Sequence, residues 1–328
     1  MKVLITGANG FVGSHLIRSL SKGGKHKVTG LVRETSNLFR LQKGKYNLIC
    51  ASLDEPLLQV TKGFDAVIHA AANTTYWGND ELVYRTNVDG TVNLIKSSIQ
   101  NGVTRFVHFS STVVYGFSGN RKTAEDAPLS PFPTAYCLSK AAAEERIYEF
   151  VKDIELIILR PSNIFGPLDN MFSYLLIWAV DRGILRAFPR GGITLTSPCY
   201  VKNIIHATNR ALETKQGLGQ AYNISDGSDM EWRTFLGIIT GALGKRFSCF
   251  SLPVRPLLFL AHALERANRF FSITSRPFIT PHDIAHVASD YSFSIERAKR
   301  LLGYRPQHTT EQGIEETVQW YREYRKGR

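Results

Sequence analysis

The sequence predicts a doubly wound α/β fold, a parallel sheet covered by helices on both faces, with a smaller and mostly C-terminal second lobe. Three observations carry this. Short apolar runs alternate with helix-like stretches through the first half of the 328 residues. The first run, "KVLIT", passes through the glycine-rich turn "TGANGFVG" into a stretch where Val12, Leu16 and Leu20 return at helical spacing. From Asn163 onward the alternation gives way to an irregular region richer in proline and aromatic residues.

The first helix, over 11–22, ends at Gly23-Gly24, residues that terminate helices readily. Strands follow at "KVTGLV", "YNLICA" and "FDAVIHAA", then a helix across 81–101, the strand "RFVHFSS", a helix across 134–151 and the strand "ELIILR". This places the first domain at 1–161. The stretch "TLTSPCYVKNIIHATNRALE", within 194–217, is expected to return to it as a strand and a helix. Residues 162–193 and 218–328 then form the second lobe, which closes with a helix over 311–325.

Composition narrows the function classes. Hydrophobic residues make up 43% and charged residues 21%, values of an ordinary soluble chain. No apolar run approaches the roughly 18 residues of a membrane span. Met1 leads directly into a strand, so no signal peptide is expected. The net charge of +12 invites a nucleic-acid reading, but Lys and Arg are spread along the chain apart from the tail "YREYRKGR". A solvated basic surface that attracts anionic cofactors or lipid headgroups accounts for the charge without nucleic acid. Cys50, Cys137, Cys199 and Cys249 show no metal-ligand spacing, so a reduced cytoplasmic setting without a structural metal is expected.

The glycine-rich turn sits where a dinucleotide pyrophosphate is held, between a strand and a helix. Gly7, Gly10 and Gly13 allow the backbone to turn sharply and approach the phosphates, with Asn9, Phe11 and Val12 completing the turn. An NAD site carries an acidic residue about 20 positions on, at the end of the second strand. Here the strand ends "GLVRETSN", with Val32 at that place and Arg33 after it. Arginine matches a 2′-phosphate, with Ser36 and Arg40 as further donors, so NADP is preferred over NAD. Glu34 remains able to reach a ribose hydroxyl.

In "PTAYCLSKAAAEE" the four-residue spacing of Tyr136 and Lys140 puts both on one helix face. A nearby ammonium is expected to lower the phenol's pKa and fit it for proton transfer to or from an alcohol or ketone. The strand "RFVHFSSTVVYG" ends in hydroxyls at the carboxyl edge of the sheet. Ser111 is the candidate donor to the substrate oxygen, with Ser110 and Thr112 as neighbours able to take its place.

With these residues in place the chain resembles the extended short-chain dehydrogenase/reductases. "TGANGFVG", "HAAA" at 69–72, "TNVDGT" around Asn87, Ser111, the Tyr136/Lys140 pair, "RPSNIFGP" and the tail "SIERAKRLLGYRP" occur in that family's order and spacing. The resemblance implies a Rossmann-type dinucleotide-binding domain, with Ala70, Ala71 and Ala72 lining the cofactor and Asn87 near it. It also implies that Lys140 holds the nicotinamide ribose and that Pro161, Ser162 and Ser110 follow the nicotinamide side. Ser52 and Leu53 stand at the adenine end, where the family often has an Asp in place of Ser52. Homodimerisation through the helices near 81–101 and 134–151 is implied by analogy alone.

Within that family the sugar 4,6-dehydratases carry Asp-Glu after the catalytic hydroxyl residue, whereas this chain has Thr112-Val113. Nucleotide-sugar enzymes clamp a diphosphate with Arg-Asp, where "TSPCYVKN" offers Thr196-Ser197. Arg186 or Arg190 can substitute, and Asn163 is a residue those enzymes keep. The lobe's "FSLPVRPLLFLAHALERANRFFSITSRPFITPHDI" resembles the 3β-hydroxysteroid dehydrogenase, dihydroflavonol reductase and 2-alkyl-3-oxoalkanoate reductase branch. There Leu257, Leu258, Leu260, Ala261 and Leu264 recur at helical spacing, which favours core packing over a lid or a membrane-surface helix. Tyr76 and Trp77 either wall the substrate pocket or pack their loop, and His69 and His108 are expected to be hydrogen-bonded core residues. The resulting expectation is an oxidoreductase interconverting ketone and secondary alcohol on a largely apolar, sterol-like or 3-oxoacyl-like small molecule. A nucleotide-sugar epimerase, or a catalytically silent dinucleotide-binding sensor, are the alternatives.

Overall fold

The computed structural model describes residues 1–42, 44–246, 248–273 and 275–326. Its centre is a seven-stranded sheet of β1 (Lys2–Thr6), β2 (Lys27–Val32), β3 (Asn47–Cys50), β4 (Ala66–His69), β5 (Arg105–Phe109), β6 (Glu155–Pro161) and β7 (Gln220–Ile224). The spatial order is β7-β6-β5-β4-β1-β2-β3, and every neighbouring pair is parallel. The chain leaves β1 toward β2 and later crosses back to β4 on its other side. That reversal opens a crevice at the carboxyl ends of β1 and β4.

The eight helices that matter below are α1 (Phe11–Lys22), α2 (Gly90–Gln100), α3 (Ala135–Tyr148), α4 (Phe172–Asp181), α5 (Val201–Glu213), α6 (Trp232–Ala242), α7 (Val254–Phe270) and α8 (Pro281–Ala288). Strand alternation sorts the core into two layers. Val3 and Ile5 of β1 pack with Leu16 and Ile17 of α1 and Ile204 of α5. Leu4, between them, packs with Leu94 and Ile95 of α2 and Ile147 of α3 on the opposite face. A third cluster, with Ile177 of α4 and Trp232 and Phe235 of α6, forms the lobe together with Ile314 and Tyr321 of the C-terminal helix Thr310–Lys326.

Two expectations are corrected. The strand that returns to the main sheet is β7, not "TLTSPCY": Pro198–Tyr200 pairs with Asn163–Phe165, and Leu195–Thr196 joins a small mixed sheet with Met230–Glu231 and Tyr291. Strand β7 is buried from Ala221 to Ile224, with Asn223 satisfied by Tyr115, Glu125 and Thr123, whereas Ser197 directs its hydroxyl to Asp229. Helix α5 does return, and the Arg105 guanidinium of β5 donates to its Ala211 and Leu212 carbonyls. The second correction is one of extent: in α7 Ala261 is buried and Leu257, Leu258 and Leu264 are half-buried on the same side, as the spacing implied, while Leu260 is exposed. Phe259, Leu260 and Phe270 leave part of the outward side apolar as well, so spacing alone overstated how much of this helix is covered.

Candidate active site

The glycine turn is built for a ligand that approaches the backbone. Gly7 has φ +66°, and a Cβ there would lie 2.8 Å from the Ala71 Cα. A Cβ on Gly13 would collide with the Gly7 carbonyl oxygen, and one on Gly10 would lie 3.1 Å from it. These glycines bring β1, α1 and the end of β4 into contact. Helix α1 starts at Phe11 with no acidic residue in its first turn and no side-chain cap on Gly10. Its first amides and positive end face outward from the turn, the arrangement that holds an anion. This cradle fits a dinucleotide pyrophosphate.

At the end of β2, the Arg33 amide donates to Ser36 Oγ at 3.0 Å and the Ser36 amide to the Arg33 carbonyl at 2.9 Å, closing a tight turn with Arg33 exposed. Arg40 is committed elsewhere: its guanidinium donates to the carbonyls of Leu168 (3.0 Å) and Asn9 (3.4 Å) and to Asn170. It ties the glycine turn to the 167–170 segment and is not a spare phosphate donor. Ser52 turns back on itself, its amide donating to Glu55 at 3.0 Å, while Leu53 is buried and meets Gly90.

Beyond β4 a hydrogen-bond chain threads the crevice. The Ala71 amide donates to Thr6 Oγ1 (3.2 Å), which faces His69 Nδ1 (2.7 Å); His69 Nε2 faces Thr91 Oγ1 (2.8 Å), whose hydroxyl donates to the Asn87 carbonyl (2.6 Å). Since Thr91 already donates, His69 carries its proton on Nε2 and accepts on Nδ1. Burial pushes His69 down to about 3, so it stays neutral. Asn87 lies in a π-helical turn, Arg85–Asp89, and its side chain grips Asn73 at both the amide and the carbonyl and Ser139 of α3. Asn87 thus holds the 70–73 segment in place. His108 is buried as expected but differs from His69, because neither ring nitrogen has a hydrogen-bond partner. Burial holds it neutral beside His69, ring centroids 5.4 Å apart.

Ser111, Tyr136 and Lys140 converge at the carboxyl end of β5. Ser111 caps the short turn Thr112–Tyr115, its hydroxyl accepting from the Val113 amide at 3.3 Å, and lies near enough to the Tyr136 phenol to favour its ionised form. Lys140 is buried, its ammonium donating to the Phe109 carbonyl at 2.8 Å and lying 6.0 Å from the Tyr136 ring centroid. Burial raises the Tyr136 phenol above its ordinary range, and the nearby Ser111 hydroxyl only partly opposes this. The expected lowering by Lys140 is therefore absent here, because desolvation of a buried phenol outweighs a cation that far from it. Lys140 itself is drawn down to about 8 by burial, with Glu144 one turn on opposing. Ser110 is buried beside them with an unpartnered Oγ, a donor available to a bound group.

A fully buried ion pair anchors this helix. Arg160 on β6 meets both carboxylate oxygens of Glu144 at 3.0 and 3.1 Å through Nε, and donates to the Tyr115 hydroxyl at 2.6 Å. Strand β6, helix α3 and the turn after Ser111 are locked together.

Of the expected substrate contacts, Tyr76 lies against the phenol, ring centroids 5.1 Å from Tyr136. Trp77 points the other way, under the Arg269 guanidinium of α7 at 5.5 Å. Thr112 is a correction: it is fully buried, with its hydroxyl 2.8 Å from the Tyr291 hydroxyl and turned toward the Pro161 carbonyl. Asn163 donates to Thr196 at 2.8 Å, and Ser162 donates to the Ser197 and Ile224 carbonyls, so both join the lobe to the sheet. Pro161 is buried at the end of β6. Sequence reasoning missed His282 of α8, stacked 4.1 Å from Tyr76 and flanked by Phe117 and Phe132. "TPHDI" was visible, but nothing in it signalled that α8 folds back over the 73–80 loop.

The family model for the NAD dependent epimerase/dehydratase family matches residues 3–225. An uncharacterized protein YbjS of Escherichia coli K12 is 30% identical, with 99% of each chain covered. A sterol-4-alpha-carboxylate 3-dehydrogenase, decarboxylating, of Mus musculus is 28% identical, covering 99% of this chain and 92% of that one. A 2-alkyl-3-oxoalkanoate reductase of Stenotrophomonas maltophilia is also 28% identical, covering 96% and 97%. Among solved structures, gox2253 superposes with a TM-score of 0.83 at 27% identity, covering 98% of both chains. The crevice, its glycine cradle and these relatives together make the chain an enzyme of the NAD-dependent epimerase/dehydratase family, an extended short-chain dehydrogenase/reductase.

Proposed function

We propose that this enzyme reduces a ketone, or oxidises the corresponding secondary alcohol, on a largely apolar substrate of sterol-like or 3-oxoacyl-like character, with NADP preferred over NAD. The observation that carries the reading is the convergence of Ser111, Tyr136 and Lys140 at the carboxyl edge of the sheet. When bound, the nicotinamide supplies or accepts the hydride. Gly7, Asn9, Gly10, Phe11, Val12 and Gly13 hold its pyrophosphate, and Arg33 and Ser36 take the 2′-phosphate. Ser52 and Leu53 flank the adenine. Ala70, Ala71, Ala72 and the Asn87 that positions them line the middle, with Ser110, Pro161 and Ser162 toward the nicotinamide.

Tyr136 donates its phenolic proton to the substrate oxygen while Ser111 orients that oxygen by a hydrogen bond. A phenol kept protonated by burial suits the acid role and hence reduction. Lys140 presents its ammonium to the ribose side of the crevice from the same helix face. The substrate wall of Tyr76, Phe117 and Phe132 is aromatic. Thr196 and Ser197, where a diphosphate clamp would stand, are engaged with Asn163 and Asp229. The names of the sterol and oxoalkanoate relatives favour the same substrate class. A reducing cytoplasmic setting accords with four free cysteines, and pairing of two copies through the helices at 80–100 and 135–148 accords with exposed Leu82, Tyr84 and Leu138.

The test is a panel that follows NADPH and NADH oxidation with apolar 3-oxo substrates beside an epimerisation assay on UDP-sugars. Turnover of the ketones, reduced at least about a hundredfold by Tyr136→Phe, is expected. Turnover on the sugars alone would establish the epimerase, and a folded protein that binds cofactor without any turnover would establish the sensor. Arg33→Ala should weaken NADPH about tenfold and leave NADH unchanged; equal affinity for both in the parent would remove the NADP preference.

A further inference from the structure

We propose that helix α7 and the segment after it dock this enzyme on an anionic lipid bilayer, with the apolar half of the outward face inserted and the basic half at headgroup level. At about 100° per residue, Ala261, the one buried residue, marks the side of α7 that faces the protein. Opposite it the outward face divides into two strips. Phe259, Phe270, Ala263, Ala267 and Leu260 occupy one side, and Arg255, Arg266, His262 and Arg269 occupy the other. Phe259 and Phe270, three turns apart, point the same way and are 77% and 82% exposed. The chain beyond the helix continues the pattern, with Phe271 69% and Phe278 88% exposed.

A soluble surface scatters single apolar residues, and a run of such exposed phenylalanines within one segment requires a partner. Charge selects which. Between 254 and 278 the chain carries Arg255, Arg266, Arg269 and Arg276 against Glu265, which pairs with Arg269, while Arg276 pairs with Asp283 of α8. A second copy would bring the arginine strips together, whereas an anionic membrane satisfies both strips at once. Among the described residues no helix is long and apolar enough to cross a membrane, so α7 lies in the interface. Arg269 also sits over Trp77, in the loop that places Tyr76 against Tyr136, so the docked face borders the site.

Sedimentation of the full chain with vesicles tests this without reference to turnover. Phosphatidylcholine mixed with phosphatidylglycerol should pull the protein down, phosphatidylcholine alone should not, and high salt should release it. Phe259→Asp with Phe270→Asp should reduce capture at least about tenfold, as should Arg255→Glu with Arg266→Glu, with unchanged melting temperatures. Absence of capture by either vesicle would overturn the proposal. Equal capture by both would overturn the anionic assignment. A dimer broken by the phenylalanine variants, without vesicle binding, would assign the face to a second copy instead.

Discussion

Two helices of similar apolar spacing end up in opposite surroundings. In α1, Leu16, Ile17 and Leu20 are buried under the sheet; in α7, only Ala261 is buried and phenylalanines face outward. The difference lies in what flanks them. Helix α1 is bound to β1 by a three-glycine turn that leaves it one place to pack, and its outer face is polar. Helix α7 follows "LP" at 252–253, carries exposed Phe259, Leu260 and Phe270 beside a basic strip on its outward side, and meets the lobe through Ala261 and the half-buried Leu257, Leu258 and Leu264. Periodicity bounds an inward face sharply only when the whole outward face is polar.

The contrast can be broken most severely at the turn. Gly13→Ala puts a methyl group into the Gly7 carbonyl, so α1 must shift; dinucleotide binding measured by calorimetry should be lost, with stability down by at least about 2 kcal/mol. Retained affinity would show that the turn tolerates a wider approach of α1.

Next is the anchor of α3. Arg160→Met leaves the Glu144 carboxylate buried and without its cation, and denaturant unfolding should record a loss of about 3–5 kcal/mol. Adding Glu144→Leu should recover much of it, because no charge then remains buried.

A smaller effect belongs to Lys140. Its ammonium loses its proton near 8 in the folded chain, below the ordinary lysine value of 10.5. Between those values the unfolded chain binds more protons, so stability rises with pH. In urea unfolding of the cofactor-free protein, the parent should gain on Lys140→Met from pH 8 to 10, by no more than about 3 kcal/mol. A constant difference would show that Lys140 titrates normally.

The smallest effect sharpens the comparison directly. Phe259→Asp on α7 should change stability by no more than about 0.5 kcal/mol, whereas Leu16→Ala on α1 should remove about 2–5 kcal/mol. Comparable losses would mean that α7 is packed in solution.

Much of the nucleotide half was legible because its constraints are local. A strand-glycine-helix turn, a Tyr and Lys four residues apart, and hydroxyls at a strand end each specify geometry within one or two turns of chain. Ser111, Tyr136 and Lys140 meet because β5 and α3 pack as parallel α/β units must. The lobe was less legible because its contacts join distant segments: β7 rather than 194–200 completes the sheet, α8 brings His282 to Tyr76, and Thr112 turns to Tyr291. None of these pairings leaves a period in the sequence.

By itself the sequence determined the class of fold, the cofactor crevice and the residues gathered at the carboxyl ends of the strands, since those follow from backbone sterics and short-range spacing. Tertiary structure decided how those groups behave. Burial, which no motif encodes, raised Tyr136 instead of lowering it and drew Lys140 down to about 8. The same long-range packing committed Arg40 to the 167–170 segment and left the outward half of α7 at the surface. Desolvation and the depth to which a helix face is covered depend on what the rest of the chain places nearby, and that is settled only when the chain has folded.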